Sequence, residues 1–439
     1  MSASLPVTRL PVILRAYRLI AAAATLLVPP LLARRAKRGK EHRVRLGERR
    51  GFASAARPGG PLVWLHAASV GELASALPLI ERICARGTGI LVTTGTVTSS
   101  GLAEQRLPRG VIHQFLPVDV PRYMRRFLAH WRPDLALFME SDLWPNMVIE
   151  TSVRQVPMIL VNGRLSETSY RRWRYFPNSI GNLLGRFDLC LAGTPGDAER
   201  LSGLGAPRIT TTGNLKLDVP APPADPAKLV TLEDAIGARP VIAAASTHAG
   251  EEAIVIEAHR RLRGNFPGLL TLIAPRHPER GPGVAEIARA AGLSVAQRSK
   301  AERLTTETDI YVADTMGELG LIYRLAPVVF MGGSLVRHGG QNPIEPAKLG
   351  TAILHGPHIH NFAELYDALD RARGAEMVSD TDRLTASLGA WLNDPAAAAR
   401  VADAARATVE GLGGALDRTL QSLEPYLMQL HLRQRAGHA

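Results

Sequence analysis

From residue 61 onward, short uninterrupted apolar runs alternate with helical patterns, and this alternation restricts the fold more than any other feature of the chain. The runs are VWLH (63–66), ILVTT (90–94), LALFM (135–139), MILVN (158–162), LCLAG (189–193), VIAAAS (241–246), LLTLIAP (269–275), DIYVAD (309–314), VVFMGG (328–333) and TAILHG (351–356). Uninterrupted runs suit strands buried on both faces, and the patterns between them, such as 71–86, 121–130, 251–264 and 283–291, suit helices. Repeated βα units of this kind build parallel sheets. The stretch VPAPPADPA (219–227) holds four prolines in nine residues, too many for a helix or a central strand, and it divides the alternating region nearly in half. The expectation is an α/β chain of two Rossmann-like domains joined by a stiff linker, with ligands bound in the cleft at the carboxyl ends of the strands.

Length and charge narrow the function. With 439 residues, 46% of them hydrophobic and 21% charged, the chain is ordinary globular material for two or three domains. Its net charge of +12 suggests a nucleic-acid binder until the cations are located: residues 1–50 hold 12 Lys and Arg against Glu41 and Glu48 alone, a balance of +10. The rest carries 40 basic and 38 acidic side chains and so offers no broad cationic face to a phosphate backbone, which argues against a nucleic-acid partner. Two cysteines, Cys84 and Cys190, are too few for a disulfide framework and point to a reducing compartment.

The N-terminal basicity has a local reading. Between Arg18 and Arg34 lie fifteen uncharged residues, LIAAAATLLVPPLLA, followed by Arg34, Arg35, Lys37, Arg38, Lys40, Arg43 and Arg45. Fifteen is short for a spanning helix, which wants about 20, so spanning the membrane and lying in its interface both stay open. The heavier positive charge follows the apolar run, which disfavours a cleaved signal peptide and keeps the downstream chain in the cytoplasm. A membrane anchor with a polybasic collar for anionic lipid is expected over residues 1–35, in preference to an amphipathic helix packed on its own domain.

The chain has no G-x-x-x-x-G-K-[ST], no G-x-G-x-x-G after a first strand, no H-E-x-x-H and no C-x-x-C, so P-loop, dinucleotide and zinc-hydrolase readings lose their main support. What remains is a set of strand-end loops rich in Gly, Glu, Arg and Asn. A turn at Gly71 opens a helix with Glu72 in its first turn, where the helix N-terminus favours the carboxylate, though a lone Glu there usually only compensates the dipole. Glu140 and Asp142 follow LALFM; Asp142 or Ser141 can simply cap the next helix. Lys216 stands just before the prolines, where a plain surface lysine is the simpler reading. Arg276 and His277 directly follow a strand, and a guanidinium there can clamp phosphate or carboxylate. Gly317 and Glu318 occupy the next such turn. The segment 331–350 has four glycines before Asn342 and Glu345; such a loop can bring backbone N–H groups against a phosphate while a Glu accepts both hydroxyls of a ribose. Together these loops suggest a nucleotide-sugar site. His355, His358 and His360 lack an accompanying carboxylate or thiolate and read as loop histidines rather than metal ligands.

The segments HAASVGE (66–72), MESDLWPN (139–146), NGRLSETSYRRWR (162–174), TGNLKLD (212–218), APRHPER (274–280), DTMGELG (314–320), GGSLVRHGGQNPIEPA (332–347) and GPHIHNF (356–362) closely resemble the 3-deoxy-D-manno-octulosonic acid (Kdo) transferases of Gram-negative bacteria. The resemblance runs from the N-terminal apolar segment to about residue 370. It implies a GT-B glycosyltransferase fold with the active site between two Rossmann-like domains, no cofactor or metal requirement, and placement on the cytoplasmic face of the inner membrane. It also implies the reaction, an inverting transfer of Kdo from CMP-Kdo to the lipid A precursor lipid IVA in lipopolysaccharide synthesis. Carried over by motif, Glu72 is the proton acceptor, and Glu140 and Lys216 stabilise the transition state. CMP contacts fall on Pro275 and Arg276, on Met316, Gly317 and Glu318, and on Asn342, Pro343, Ile344 and Glu345.

The domain boundaries expected are an anchor over 1–35, an acceptor domain over 36–218, a linker over 219–232, and a CMP-sugar domain with C-terminal helices over 233–439. Another nucleotide-sugar enzyme of the same architecture, such as a lipid A disaccharide synthase or a UDP-sugar epimerase, is the alternative. A non-catalytic nucleotide-binding protein is disfavoured because Glu72, Glu140 and Lys216 are all retained.

Overall fold

The structure is a computed structural model that describes residues 9–436. The chain divides into two units, residues 1–219 with 413–439, and residues 220–412.

The first unit is built on a seven-stranded parallel sheet of β1 (Leu62–His66), β2 (Gly89–Thr94), β3 (Ile112–Phe115), β4 (Leu135–Met139), β5 (Met158–Gly163), β6 (Leu189–Ala192) and β7 (Ile209–Thr211), in the order β3-β2-β1-β4-β5-β6-β7. The second carries β8 (Val241–Thr247), β9 (Leu270–Pro275), β10 (Val295–Gln297), β11 (Ile310–Val312), β12 (Val328–Met331), β13 (Ala352–His355) and β14 (Ala375–Met377), in the order β10-β11-β9-β8-β12-β13-β14. Strand order reverses between β1 and β4 in one sheet and between β8 and β12 in the other, and ligands of open α/β sheets bind at such switch points. Every residue of β1, β4 and β8 is buried, as helices on both faces require. In the first unit Trp64 packs edge-on to Phe138 with ring centroids 5.0 Å apart, and Phe127 covers it at 4.9 Å.

All ten expected strands are present. The four that were not anticipated, β3, β7, β10 and β14, are the outer strands of the two sheets. They are three or four residues long and partly open to solvent, so they carry no continuous apolar run.

The domain boundaries need two corrections. The final helix, Ala415–Ala436, belongs to the first unit, not the second. Leu420, Leu423, Leu427 and Leu430 pack into the core under β1 and β4, and the Asp218 carboxylate accepts the amides of Gly414 and Leu416. The linker is also shorter than expected. Residues 220–225 are irregular, but Asp225 caps a helix, Pro226–Ile236, through the amides of Ala227 and Lys228. The prolines lie on the second unit, where Arg324 donates to the Pro222 carbonyl at 2.8 Å and a Cβ at Gly320 would stand 2.2 Å from the Pro223 oxygen.

The N-terminal segment forms two helices, Val12–Ala23 and Val28–Lys37. No single described helix is long and apolar enough to cross a membrane; this pair passes only jointly and is bent by 65°. One face packs on the first unit: Leu14, Val28, Leu32 and Ala36 are buried, the Tyr17 hydroxyl donates to Asp119 at 2.9 Å, and Arg18 pairs with Glu150 at 2.7 Å. Another face leaves Leu19 and Leu26 73% and 84% exposed, with Ile20, Leu27 and Leu31 also open.

Candidate active site

In the first unit, three of the residues singled out from sequence meet at the switch point. Ser69 caps the helix Val70–Cys84, whose first turn holds Glu72. The Glu72 carboxylate accepts the Ala68 amide at 2.8 Å and the Ser69 hydroxyl at 2.9 Å, a reciprocal capping arrangement. The helix-start argument alone predicts a stabilised carboxylate, yet burial pushes the Glu72 carboxyl above the ordinary glutamate range, and Glu140 pushes it the same way. The two hydrogen bonds pull against this rise and His66 adds a small opposing effect.

Glu140 follows the last residue of β4 and takes a left-handed backbone conformation, φ 55°, which is uncommon away from glycine and clusters at functional strand ends. Its carboxylate pairs with the Lys216 ammonium at 2.7 Å, both side chains about one-fifth exposed. Lys216 is therefore no plain surface lysine. It sits on a short turn, Leu215–Leu217, held by Asn214, which accepts the Lys216 amide, and by buried Asn162 at the end of β5, which accepts the Leu215 amide at 3.0 Å. One histidine was not singled out from sequence. His66, fully buried at the end of β1, sets Nε2 3.0 Å from the Asp142 carboxylate and Nδ1 2.9 Å from the Thr93 hydroxyl. Asp142 thus orients a histidine, and it makes no cap for the helix Pro145–Val153.

In the second unit the residues expected to hold a nucleotide lie on the carboxyl ends of β9, β11 and β12. Pro275 ends β9, and the Arg276 amide donates to Thr247 at 3.0 Å while its guanidinium stands exposed. Met316 is 69% exposed beside Gly317, φ 79°. The Glu318 carboxylate is committed to Arg298, Lys228 and Thr315, and Arg298 above all holds it down to about 2. Its side chain is thus tied within the second unit. Asn342 accepts the Ile344 amide and Pro343 precedes the short helix Ile344–Lys348. The Glu345 carboxylate lies 3.5 Å from the Asn342 amide, and burial raises its carboxyl.

The glycine loop does not do what its composition suggested. Its amides at Gly333, Ser334 and Leu335 point to the buried Glu251 carboxylate, at 2.7, 3.0 and 3.0 Å, and the His248 amide joins them at 2.9 Å. A side chain already occupies the place proposed for a phosphate. Gly332 has its own reason: a Cβ there would stand 2.4 Å from the Ser246 oxygen, so only glycine lets β12 turn this close to β8.

A sequence model described as "3-Deoxy-D-manno-octulosonic-acid transferase (kdotransferase)" matches residues 44–219. The 3-deoxy-D-manno-octulosonic acid transferase of Haemophilus influenzae is 34% identical over 399 residues, 88% of this chain and 92% of that protein. The chain belongs to the Kdo transferase family. The Bordetella pertussis member is 38% identical over 86% of this chain and 90% of its own length. Among solved structures, a UDP-GlcNAc 2-epimerase from Neisseria meningitidis covers 83% of this chain and all of its own at a TM-score of 0.57. At 14% identity that likeness shows the shared GT-B-like fold alone. This chain is thus an α/β glycosyltransferase that handles Kdo in lipopolysaccharide biosynthesis.

Proposed function

We propose that this Kdo transferase takes its sugar from CMP-Kdo and delivers it to a hydroxyl of lipid IVA, with Glu72 as the base. The observation that carries the proposal is the Glu72 carboxylate, its proton affinity raised by burial, at the switch point beside the Lys216–Glu140 pair. An acceptor hydroxyl has a pKa far above 7, so Glu72 takes the proton late, as the oxygen bonds to the anomeric carbon, a contribution of about 10²–10⁴ in rate. The bond from that carbon to the phosphate oxygen breaks as the new one forms. Its electron pair leaves with CMP, and attack from the opposite face inverts the centre. Lys216, held by Glu140, supplies positive charge where negative charge develops. In the second unit Arg276 serves the phosphate, the backbone at Met316 and Gly317 the nucleotide, and Glu345 the ribose hydroxyls.

The same proposal puts the enzyme on the cytoplasmic face of the inner membrane. The exposed Leu19, Ile20, Leu26 and Leu27, followed by Arg34, Arg35 and Lys37, support a segment lying in the lipid interface, where the acyl chains of the acceptor reside. Replacing those four apolar residues with Ser spares the packed face and should lower sedimentation with anionic vesicles while detergent-dispersed acceptor is still used; unchanged sedimentation contradicts the placement.

The reaction itself is tested by mass spectrometry of lipid IVA incubated with the protein and CMP-Kdo or UDP-sugars. One or more added Kdo residues support the proposal. A product from a UDP-sugar alone replaces it with a UDP-sugar-dependent glycosyltransferase.

A further inference from the structure

Three histidines converge in the second unit outside the residues assigned above. His248 follows β8, His277 follows Arg276 at the end of β9, and His338 lies on the loop after β12. The His248 and His338 rings stack with centroids 3.8 Å apart and planes inclined by 33°; His277 stands edge-on to His248 at 6.1 Å. Gln341 fixes the arrangement with its amide 3.0 Å from His248 Nε2. β8 and β12 flank the switch point of this sheet, and the cluster sits between two stretches already argued to hold the donor, Arg276 on one side and Asn342 on the other.

Stacked imidazoles are an unusual choice for a purely structural contact at strand carboxyl ends: His338 and the neighbouring His277 are exposed, and His248 is half-buried. Burial, then His338, His277 and Arg276, push His248 down to about 4, so the stack is free of mutual repulsion at neutral pH while keeping N–H donors. Two of the carboxylates near it are spent. Glu252 is taken by Arg280 and Thr247, and Glu251 by backbone amides. Glu279, 3.9 Å from His277 Nδ1 and exposed, is the carboxylate that an arriving anion must displace from that ring.

The proposed donor carries two anions, a phosphate and the carboxylate of the sugar acid, separated by the anomeric carbon. Two anion-receiving features lie side by side, the Arg276 guanidinium and this cluster. We infer that His248, His277 and His338 form the subsite for the carboxylate of the donor sugar, beside the phosphate held by Arg276. The inference rests on the Kdo-transfer reading and makes the cluster a determinant of sugar-acid specificity.

The test compares His248→Asn, and His277→Asn combined with His338→Asn, with the parent enzyme; the exposed pair carries the test if His248→Asn does not fold. The KM for CMP-Kdo should rise about tenfold or more, while the rise in Tm induced by CMP, which lacks the carboxylate, stays near that of the parent. Loss of the CMP response in step with KM would assign the cluster to the nucleotide and overturn the inference. Unchanged KM and unchanged CMP response would make it structural and overturn it as well. If the parent itself shows neither a CMP response nor transfer, the Kdo-transfer reading fails instead.

Discussion

The two units solve the same topological problem with opposite uses of their polar side chains. At the β1/β4 switch point the proposed chemical groups are tied to one another: Glu72 to Ala68 and Ser69, Lys216 to Glu140, His66 to Asp142. At the β8/β12 switch point the tied carboxylates, Glu251 and Glu318, are scaffold, and three of the groups proposed for binding, Arg276, His277 and His338, face outward. Reacting groups gain from being held in fixed geometry, whereas a binding surface must keep donors for its ligand. The contrast predicts that damage to the first unit lowers turnover and spares nucleotide binding, and that damage to the second does the reverse.

Lys216→Ala should break the comparison most visibly if it is wrong. Loss of one preorganised cation at developing charge typically lowers kcat by about 10²–10³, with the Tm response to CMP intact. A CMP response lost together with kcat would mean that Lys216 serves the nucleotide. Next, Arg276→Ala should weaken CMP binding about 10- to 100-fold, as loss of a charge-assisted hydrogen bond or two does, and titration calorimetry with CMP against cytidine checks that the loss follows the phosphate. Glu251→Gln sharpens the scaffold half of the contrast. The amide can accept no more than part of what four backbone N–H groups donate to the carboxylate, so the protein should lose about 1–3 kcal/mol of stability by denaturant unfolding.

Much of this was legible in the chain itself, and what was hidden has a physical pattern. Central strands announce themselves because burial on both faces demands an apolar run; β3, β7, β10 and β14 escape because an edge strand is bounded by solvent on one side. Glu72, Glu140 and Lys216 were found individually, but their meeting depends on residues far apart in the chain being brought to one sheet end, as in the Lys216–Glu140 pair, 76 positions apart. The role of Glu251 was invisible for the same reason. A Glu after His-Ala-Gly at a helix start looks like dipole compensation, and only the fold brings the Gly333–Leu335 amides onto it. The final helix was misassigned because its leucine spacing shows that it packs, without showing on which core.

A smaller effect follows from the raised proton affinity of Glu72. A base must be deprotonated to act, so kcat/KM should fall on the acid side at a pH above the ordinary glutamate value of 4.5. An acid limb at or below that value would place the essential carboxylate elsewhere.

The same shift fixes the sign for stability. Because the folded protein holds the Glu72 proton more tightly than the unfolded chain, this residue contributes less stability as pH rises from 4.5 through its folded pKa, and at neutral pH its charge opposes folding. Glu72→Gln removes that charge and keeps an acceptor for Ala68 or Ser69. Rate and Tm measured on one preparation of Glu72→Gln, with and without CMP, test the central claim most directly. The account predicts Kdo transfer reduced about 10²-fold or more, a Tm no lower than that of the parent, and an unchanged CMP response. A near-normal rate with a lowered Tm would contradict it, leaving Glu72 as a helix cap.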